Sequence, residues 1–311
     1  MRVESLSIVA ALSIPLAVLY AAWRKAPLSL TFAVVIVFVY ILGYAAGVSD
    51  SAGRLSDAYY FDLGLWRCGL PGGACPFATG HSGPWTYITS LFLHSGFFHL
   101  AFNMVFLVLF GPMLEDRIGA LRWGILYVGG GIVAGLGFEL VRFQADFYFL
   151  LGASGALSAI FGAFGRLYPR ERIQMWIPVP LPPMSAATLV VLFIAIQAVL
   201  AVSPFGPLSG IAWEAHVIGL AFGFAAAPLA MRIPTKRAPV GAAIDPSRLE
   251  RLATNRELRQ ILDDVRSADV PEVRAAWLEK FAAKAVCPTC GGPLRLRRNR
   301  LSSPCGWRLQ L

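Results

Sequence analysis

Three apolar runs carry the side chains needed for nucleophilic acyl transfer. Ser154 lies in the run Leu150 to Gly165, at the start of a series of small residues and between Gly152 and Gly155. A second run carries His94, His99 and Asn103, and a third carries His216. A serine hydroxyl becomes a useful nucleophile when an adjacent base takes its proton, and imidazole is the common base near neutral pH. The negative charge that then develops on the attacked carbonyl oxygen needs donors aimed at it. His99 and Asn103 are four residues apart, so they share one helix face, and both can donate. If Ser154 begins a helix, the unpaired N–H groups there are further donors. His94 precedes His99 by five residues, about 140° around a helix, and need not face the same point. Gly219 and Gly223, with Ala215 continuing their face, let the His216 helix come close to a neighbour.

Each of these residues also has a structural reading. Serine is common at close helix contacts, Ser158 included, and His or Asn can bond between helices. A zinc site from His94, His99 and His216 ranks below serine chemistry. No His-Glu-x-x-His motif supplies a paired base, and Glu139 and Glu214 fall near the ends of their apolar runs. No aspartate stands inside such a run, so an ion path for a transporter is also poorly marked.

The elements that hold these groups must be membrane helices. The chain has 311 residues, of which 57% are hydrophobic and 14% charged, against roughly 25% charged in soluble domains. Mean hydropathy is +0.62. Apolar runs near the roughly 20 residues that a spanning helix needs fall at 5–23, 28–47, 90–112, 121–140, 151–168, 185–203 and 213–231. The first run is followed at once by Arg24 and Lys25 without a small-residue cleavage site, so it reads as a retained span rather than a signal peptide. Basic residues then alternate. Arg117 and Arg122 fill the third connection, Arg142 stands alone in the fourth, Arg166, Arg170 and Arg172 fill the fifth, and the sixth has none. This pattern puts the N-terminus outside and the C-terminus in the cytoplasm. The three runs with polar groups all travel inward and carry them in their outer halves. On this reading His99 and Asn103 lie about 9 and 13 residues into their run, roughly 14–20 Å of helix rise.

The net charge of +9 follows the loops and the tail and does not suggest a nucleic-acid groove. The basic run Leu294 to Arg300 reads as a solvated face. The long second connection, 48–89, carries Cys68 and Cys75 on the predicted outer side, where a disulfide and two free thiols are both open readings. After a linker from Ile233 to Pro246, Ser247 to Ala285 reads as two short helices broken near Pro271. Cys287, Cys290 and Cys305 follow, and Cys287-Pro-Thr-Cys290-Gly291 has the spacing of one zinc knuckle. Only three cysteines and no histidine are present in the tail. An incomplete knuckle is therefore expected, with zinc conditional on a carboxylate or a second chain for the fourth ligand.

Four ordered features resemble the rhomboid family of intramembrane serine proteases. They are Trp85-Thr-Tyr-Ile-Thr followed by His94-Ser-Gly-Phe-Phe-His99-Leu-Ala-Phe-Asn103, Glu115-Asp116-Arg117 after that span, Gly152-Ala153-Ser154-Gly155, and Ala215-His216-Val-Ile-Gly219 with Gly223. Gly-x-Ser-Gly alone is weak; the ordered set is strong, and the resemblance covers Ser29 to Met231. It implies an all-α polytopic membrane helix bundle, a six-helix core at 28–231 preceded by one extra transmembrane helix at 1–27. A linker and helical tail at 232–286 and a partial zinc-knuckle tail at 287–311 would follow. The resemblance implies Ser154 as nucleophile and His216 as base, with His99, Asn103 and the Ser154 N–H as the oxyanion hole. His94 would support the surrounding loop, Glu115 and Arg117 would brace the loop before the next helix, and Ser203 to Ala212 would form a moving cap. One departure is Ser158, where the family often has an aromatic residue beneath the histidine; it would hold His216 by a hydrogen bond or leave it looser.

On this resemblance the chemistry is a Ser-His dyad acting through an acyl-enzyme, with no cofactor for catalysis. The substrates would be transmembrane segments that unwind near the cut, with a small side chain in a shallow pocket. The partners are membrane-protein substrates and the lipid bilayer, not nucleic acid, in a prokaryotic cell membrane. The alternatives are a catalytically inactive rhomboid-like scaffold that binds membrane helices and, more weakly, a small-solute permease.

Overall fold

Breaks in the apolar pattern decide where the helices stop. The computed structural model describes residues 5–45, 57–69, 80–174, 182–202, 211–234, 244–268, 271–297 and 300–311. It divides into two units, Met1–Pro234 and Thr235–Leu311.

In the first unit α1 (Ser5–Arg24) is followed by α2 (Leu28–Ala45). Lys25 between them takes a left-handed φ of 57°, the Ala26 N–H closes onto Ala21 O at 3.1 Å, and Pro27 leads into α2. Next come α3 (Asp57–Leu63), β1 (Leu65–Cys68), β2 (Gly80–His81) and the short α4 (Thr86–Thr89), which runs into a 3-10 turn at Ser90–Phe92. α5 (Phe97–Ile118) and α6 (Ala120–Val141) meet at Gly119, whose φ of 86° makes a one-residue corner that other residues adopt only with strain. β3 (Phe147–Leu150) leads into α7 (Ser154–Leu167). Two short strands, β4 (Arg172–Ile173) and β5 (Met184–Ser185), pair ahead of α8 (Ala186–Val202), and α9 (Trp213–Ala230) closes the unit. α1, α5, α6 and α9 are long and apolar enough to cross a membrane, and 28–44 and 186–201 are shorter apolar helices. The protein is thus a polytopic helix bundle with an additional N-terminal apolar helix.

α7 is the centre of this bundle. Eleven of its fourteen residues are buried, Gly155 to Gly165 without interruption. It packs against α6 and α9 through residues so small that backbones touch. A Cβ added at Gly219 would lie 2.2 Å from Gly155 O, and one at Gly223 would lie 1.8 Å from Ala159 O. On the other side a Cβ at Gly130 would meet Ala159 Cβ at 2.2 Å. Small residues at membrane helix interfaces allow this approach, where lipid supplies no hydrophobic drive for helix association.

Two boundaries differ from the sequence reading. The run expected at 90–112 is a 3-10 turn followed by a helix that starts at Phe97 and continues to Ile118. Hydropathy cannot see the break, because Ser95 and Gly96 interrupt the helix without a strongly polar residue. Glu115 and Arg117 are consequently inside α5 rather than in the loop after it. Glu115 is buried, and its two carboxylate oxygens accept from the N–H groups of Leu28 (2.6 Å) and Ser29 (2.8 Å), capping α2 from another helix. Arg117 pairs with Glu171 at 2.9 Å and lies over the rings of Phe164 and Tyr168, at the far end of α7. Neither braces the turn to α6.

The second connection pairs with a segment far along the chain. β1 is central in an antiparallel sheet of order β2-β1-β3, with Leu65 opposite Leu150 and Cys68 opposite Phe147. Cys68 is disulfide-bonded; Cys75 lies outside the described residues. So do residues 203–210, most of the expected cap.

The second unit has its own apolar core, built from Leu249, Leu258, Ile261, Leu262, Phe281 and Leu301 among others. A 3-10 helix at Pro246–Leu252 precedes α10 (Arg256–Ser267) and α11 (Pro271–Lys284). The Asn255 side chain caps α10 by accepting from Leu258 N at 2.8 Å. Three antiparallel strands follow in the order β6 (Arg295–Arg297), β7 (Arg300–Ser302) and β8 (Arg308–Gln310).

Candidate active site

Ser154, His216 and His99 sit in the first turns of their helices, Asn103 sits in the second turn of α5, and His94 lies just before α5. Ser154 is the first residue of α7, His216 the fourth of α9 and His99 the third of α5. The depth expected for His99 shrinks accordingly, since α5 begins seven residues later than the apolar run. At 14 residues, α7 is about 21 Å long, about 9 Å short of a roughly 30 Å hydrocarbon core.

The Ser154 Oγ lies 2.8 Å from His216 Nε2. The approach of α7 and α9 at Gly155 and Gly219 sets this distance: Gly155 follows the serine directly, and Gly219 stands one turn after His216. Both Ser154 and His216 remain partly exposed.

The other ring nitrogen, His216 Nδ1, lies 2.9 Å from Gln197 Oε1. Gln197 is on α8 and is buried. Phe193, one turn earlier on the same face of α8, lies against the His216 ring with centroids 6.3 Å apart. Sequence reasoning missed both residues. The signal was present: Gln197 is the one amide in the apolar run of α8, and a polar side chain inside such a run is costly unless partnered. Ser158 does not hold His216. Its hydroxyl donates to Ser154 O, one turn back on its own helix, at 2.7 Å. The place expected to be aromatic on α7 is filled from α8 instead.

The histidines of the second run gather around the turn before Ser154. Gly152 has a φ of +112°, and a Cβ there would lie 2.7 Å from the His99 ring, so only glycine fits on both counts. His99 Nδ1 is 3.2 Å from Ser95 Oγ. Asn103 is buried, and its Nδ2 donates to His99 O at 2.8 Å, leaving the second amide hydrogen free for another acceptor. His94 is fully buried, its ring lies tilted beside that of His99 with centroids 4.9 Å apart, and its Nε2 accepts from Ala153 N at 3.5 Å. Gly152 N donates to Ser90 O at 2.9 Å. The 3-10 turn, the start of α5 and the Gly152–Ser154 corner therefore form one hydrogen-bonded cluster.

The carboxylates are committed elsewhere. Glu214 is buried and takes Arg142 Nε at 2.9 Å, and Glu139 accepts from the hydroxyls of Tyr87 and Tyr148. Among the described residues, the one cluster of three metal-ligating side chains is Cys287, Cys290 and Cys305 in the second unit; His94, His99 and His216 do not form one.

Comparison with known proteins adds the family. Residues 81–233 match the Rhomboid domain. A Bacillus subtilis protein described as a candidate rhomboid protease is 39% identical over 100 residues, 32% of this chain and 48% of that protein. A rhomboid-type serine protease of Emericella nidulans is 30% identical over 210 residues, 65% of this chain and 37% of the fungal one. The mitochondrial rhomboid protein 1 of Saccharomyces cerevisiae is 38% identical over 98 residues, 30% of this chain and 28% of that protein. The chain spans less than half the length of each of these relatives.

Proposed function

We propose that this chain, whose residues 81–233 match the Rhomboid domain, is an intramembrane serine endopeptidase that cuts transmembrane segments of other membrane proteins. The observation that carries the reading is the 2.8 Å approach of Ser154 Oγ to His216 Nε2. With its proton on Nδ1 and directed to Gln197 Oε1, the imidazole presents a lone pair to the serine hydroxyl.

In the reaction Ser154 Oγ attacks the scissile carbonyl while His216 Nε2 accepts its proton. Charge moves onto the carbonyl oxygen, where His99, Asn103 and the backbone N–H of Ser154 stabilise it; one such donor is worth about 3–4 kcal/mol. The imidazolium gives its proton to the leaving amine. Water then attacks the acyl-enzyme, with His216 again as base, and frees the second product. Buried Gln197 serves the dyad as a neutral orienting acceptor, so no third carboxylate is needed.

A substrate helix hides its carbonyls in its own hydrogen bonds, so it must unwind before attack. Glycine, proline and other weak helix formers near the cut are expected, with a small side chain at the bond itself. The alternation of basic residues supports an outer N-terminus and a cytoplasmic C-terminus, and the short loops and compact tail support a prokaryotic plasma membrane. The active site would then open toward the outer face.

The test is cleavage of a single-span reporter in proteoliposomes by the intact protein and by Ser154→Ala, with binding measured separately. Cleavage by the intact protein alone supports the protease. Equal binding without cleavage by either, across reporters with small residues and helix breakers, makes the chain a helix-binding scaffold instead.

A further inference from the structure

The C-terminal unit contains a site that the proteolytic reaction does not use. Cys287, Cys290 and Cys305 are free thiols, and their sulfurs lie within 4.8 Å of one another. Two separate turns deliver them. Cys287 to Gly292 forms the first, ahead of β6, and Ser303 to Trp307 forms the second, between β7 and β8.

The two turns share the same arrangement of hydrogen bonds, the second being one residue shorter than the first. In the first, Cys287 N donates to Gly292 O (2.9 Å), and Cys287 O accepts from Gly291 N (2.9 Å). In the second, Ser303 N donates to Trp307 O (3.0 Å), and Ser303 O accepts from Gly306 N (3.0 Å). Gly291 and Gly306, each directly after a cysteine, both have positive φ, 66° and 90°. Ser303 therefore stands in the second turn where Cys287 stands in the first. Its side chain agrees: Ser303 is buried, and its Oγ lies 3.3 Å from Cys290 Sγ. Across the cluster, Cys287 Sγ and Cys305 Sγ are 3.6 Å apart. In a tetrahedron with zinc–sulfur arms of about 2.3 Å the sulfurs are about 3.8 Å apart. The Thr289 N–H also points at Cys287 Sγ, at 3.4 Å, which stabilises a thiolate there.

We propose that the C-terminal unit is a zinc ribbon that binds one Zn2+ through the thiolates of Cys287, Cys290 and Cys305, with the Ser303 hydroxyl as the fourth ligand. Three thiolates select a soft, tetrahedral cation over magnesium or calcium. The three thiol protons leave as the metal enters. Counting cysteines leaves the site incomplete, and spacing alone points to the wrong serine. Ser302 is the residue three before Cys305, yet its hydroxyl turns to Arg295 O at 3.4 Å. No carboxylate and no second chain is required.

The test uses the full-length protein in detergent, purified under reducing conditions without chelator, with zinc measured by mass spectrometry. One zinc per chain is expected, and Cys290→Ser loses it. The apoprotein titrated with Co2+ gives the near-ultraviolet thiolate-to-cobalt band and the visible bands of a tetrahedral ion. Ser303→Cys adds a fourth sulfur; it strengthens the thiolate band and holds the metal at least about tenfold better against a competing chelator. Zinc at the same level in Cys290→Ser, or no tetrahedral cobalt spectrum in the parent protein, overturns the site. A Ser303→Cys spectrum identical to that of the parent overturns Ser303 as the ligand. Reporter cleavage by the same preparations shows that the membrane unit is intact in each variant.

Discussion

An imidazole can act as base toward a serine only when its proton sits on the far nitrogen. At His216 the group that meets that nitrogen is Gln197 Oε1 at 2.9 Å, an amide that cannot ionise and adds no charge to a buried site. Removing it leaves the dyad atoms in place but frees the tautomer and the ring orientation. Gln197→Leu is therefore expected to lower kcat about 10- to 100-fold, the equivalent of about 1.4–2.8 kcal/mol, with little change in KM. Gln197→Glu, which keeps an acceptor, recovers part of the loss. A raised KM with unchanged kcat would instead assign Gln197 to substrate binding. Ser154, His216 and His99 stood out in the sequence by acid–base or nucleophilic chemistry of their own, and Asn103 by standing four residues from His99 on one helix face. Gln197 stood out only as a lone amide in an apolar run, with no spacing to tie it to His216, because its partner comes from another helix.

Between α7 and α9 the dyad distance depends on residues without functional groups. Gly219 leaves no room for a methyl, since Gly155 O already lies 2.2 Å from its would-be Cβ. Gly219→Ala is expected to push the helices apart near Ser154 and His216 and to cost about hundredfold in kcat, as displacements of about 1 Å at a reacting pair do. Helical content should remain close to that of the parent by circular dichroism. Glu115 tests a different kind of element contact. It satisfies two N–H groups at the start of α2 with one buried carboxylate, and hydrogen bonds to charged acceptors are worth about 1.5–3 kcal/mol each. Glu115→Ala is expected to destabilise the membrane unit by about 3 kcal/mol, read as a lower midpoint in thermal unfolding in detergent, while the folded fraction keeps its kcat. A lost kcat at full stability would place Glu115 in the chemistry instead. The small-residue face of α9 could be read from Ala215, Gly219 and Gly223 in advance. The start of α5 could not, because a 3-10 turn at Ser90–Phe92 is as apolar as the helix that follows it.

At the scale of the whole chain, composition was enough to announce a membrane bundle with a polar tail. It could not announce the sheet that joins Leu65–Cys68 to Phe147–Leu150, since strands of four residues come from tertiary pairing rather than from local pattern. That sheet matters to the site because β3 ends four residues before Ser154, and Gly152 N is bonded back to Ser90 O. Every hydrogen-bond partner described for Ser154, His216, His99, Asn103 and His94 lies before Pro234, inside the first unit. The second unit is closed on its own core and its own sheet. A chain ending at Pro234 should therefore keep the dyad and its supports, and its kcat on a single-span reporter in proteoliposomes is expected to stay within about twofold of the full-length value, as for changes with no shared partners. The measurement needs only the two proteins at matched lipid ratio, with thermal unfolding to show that the shortened one is folded. A folded truncate that no longer cuts would mean that the tail acts on the membrane unit, and the zinc site would then become the first place to look for control of proteolysis.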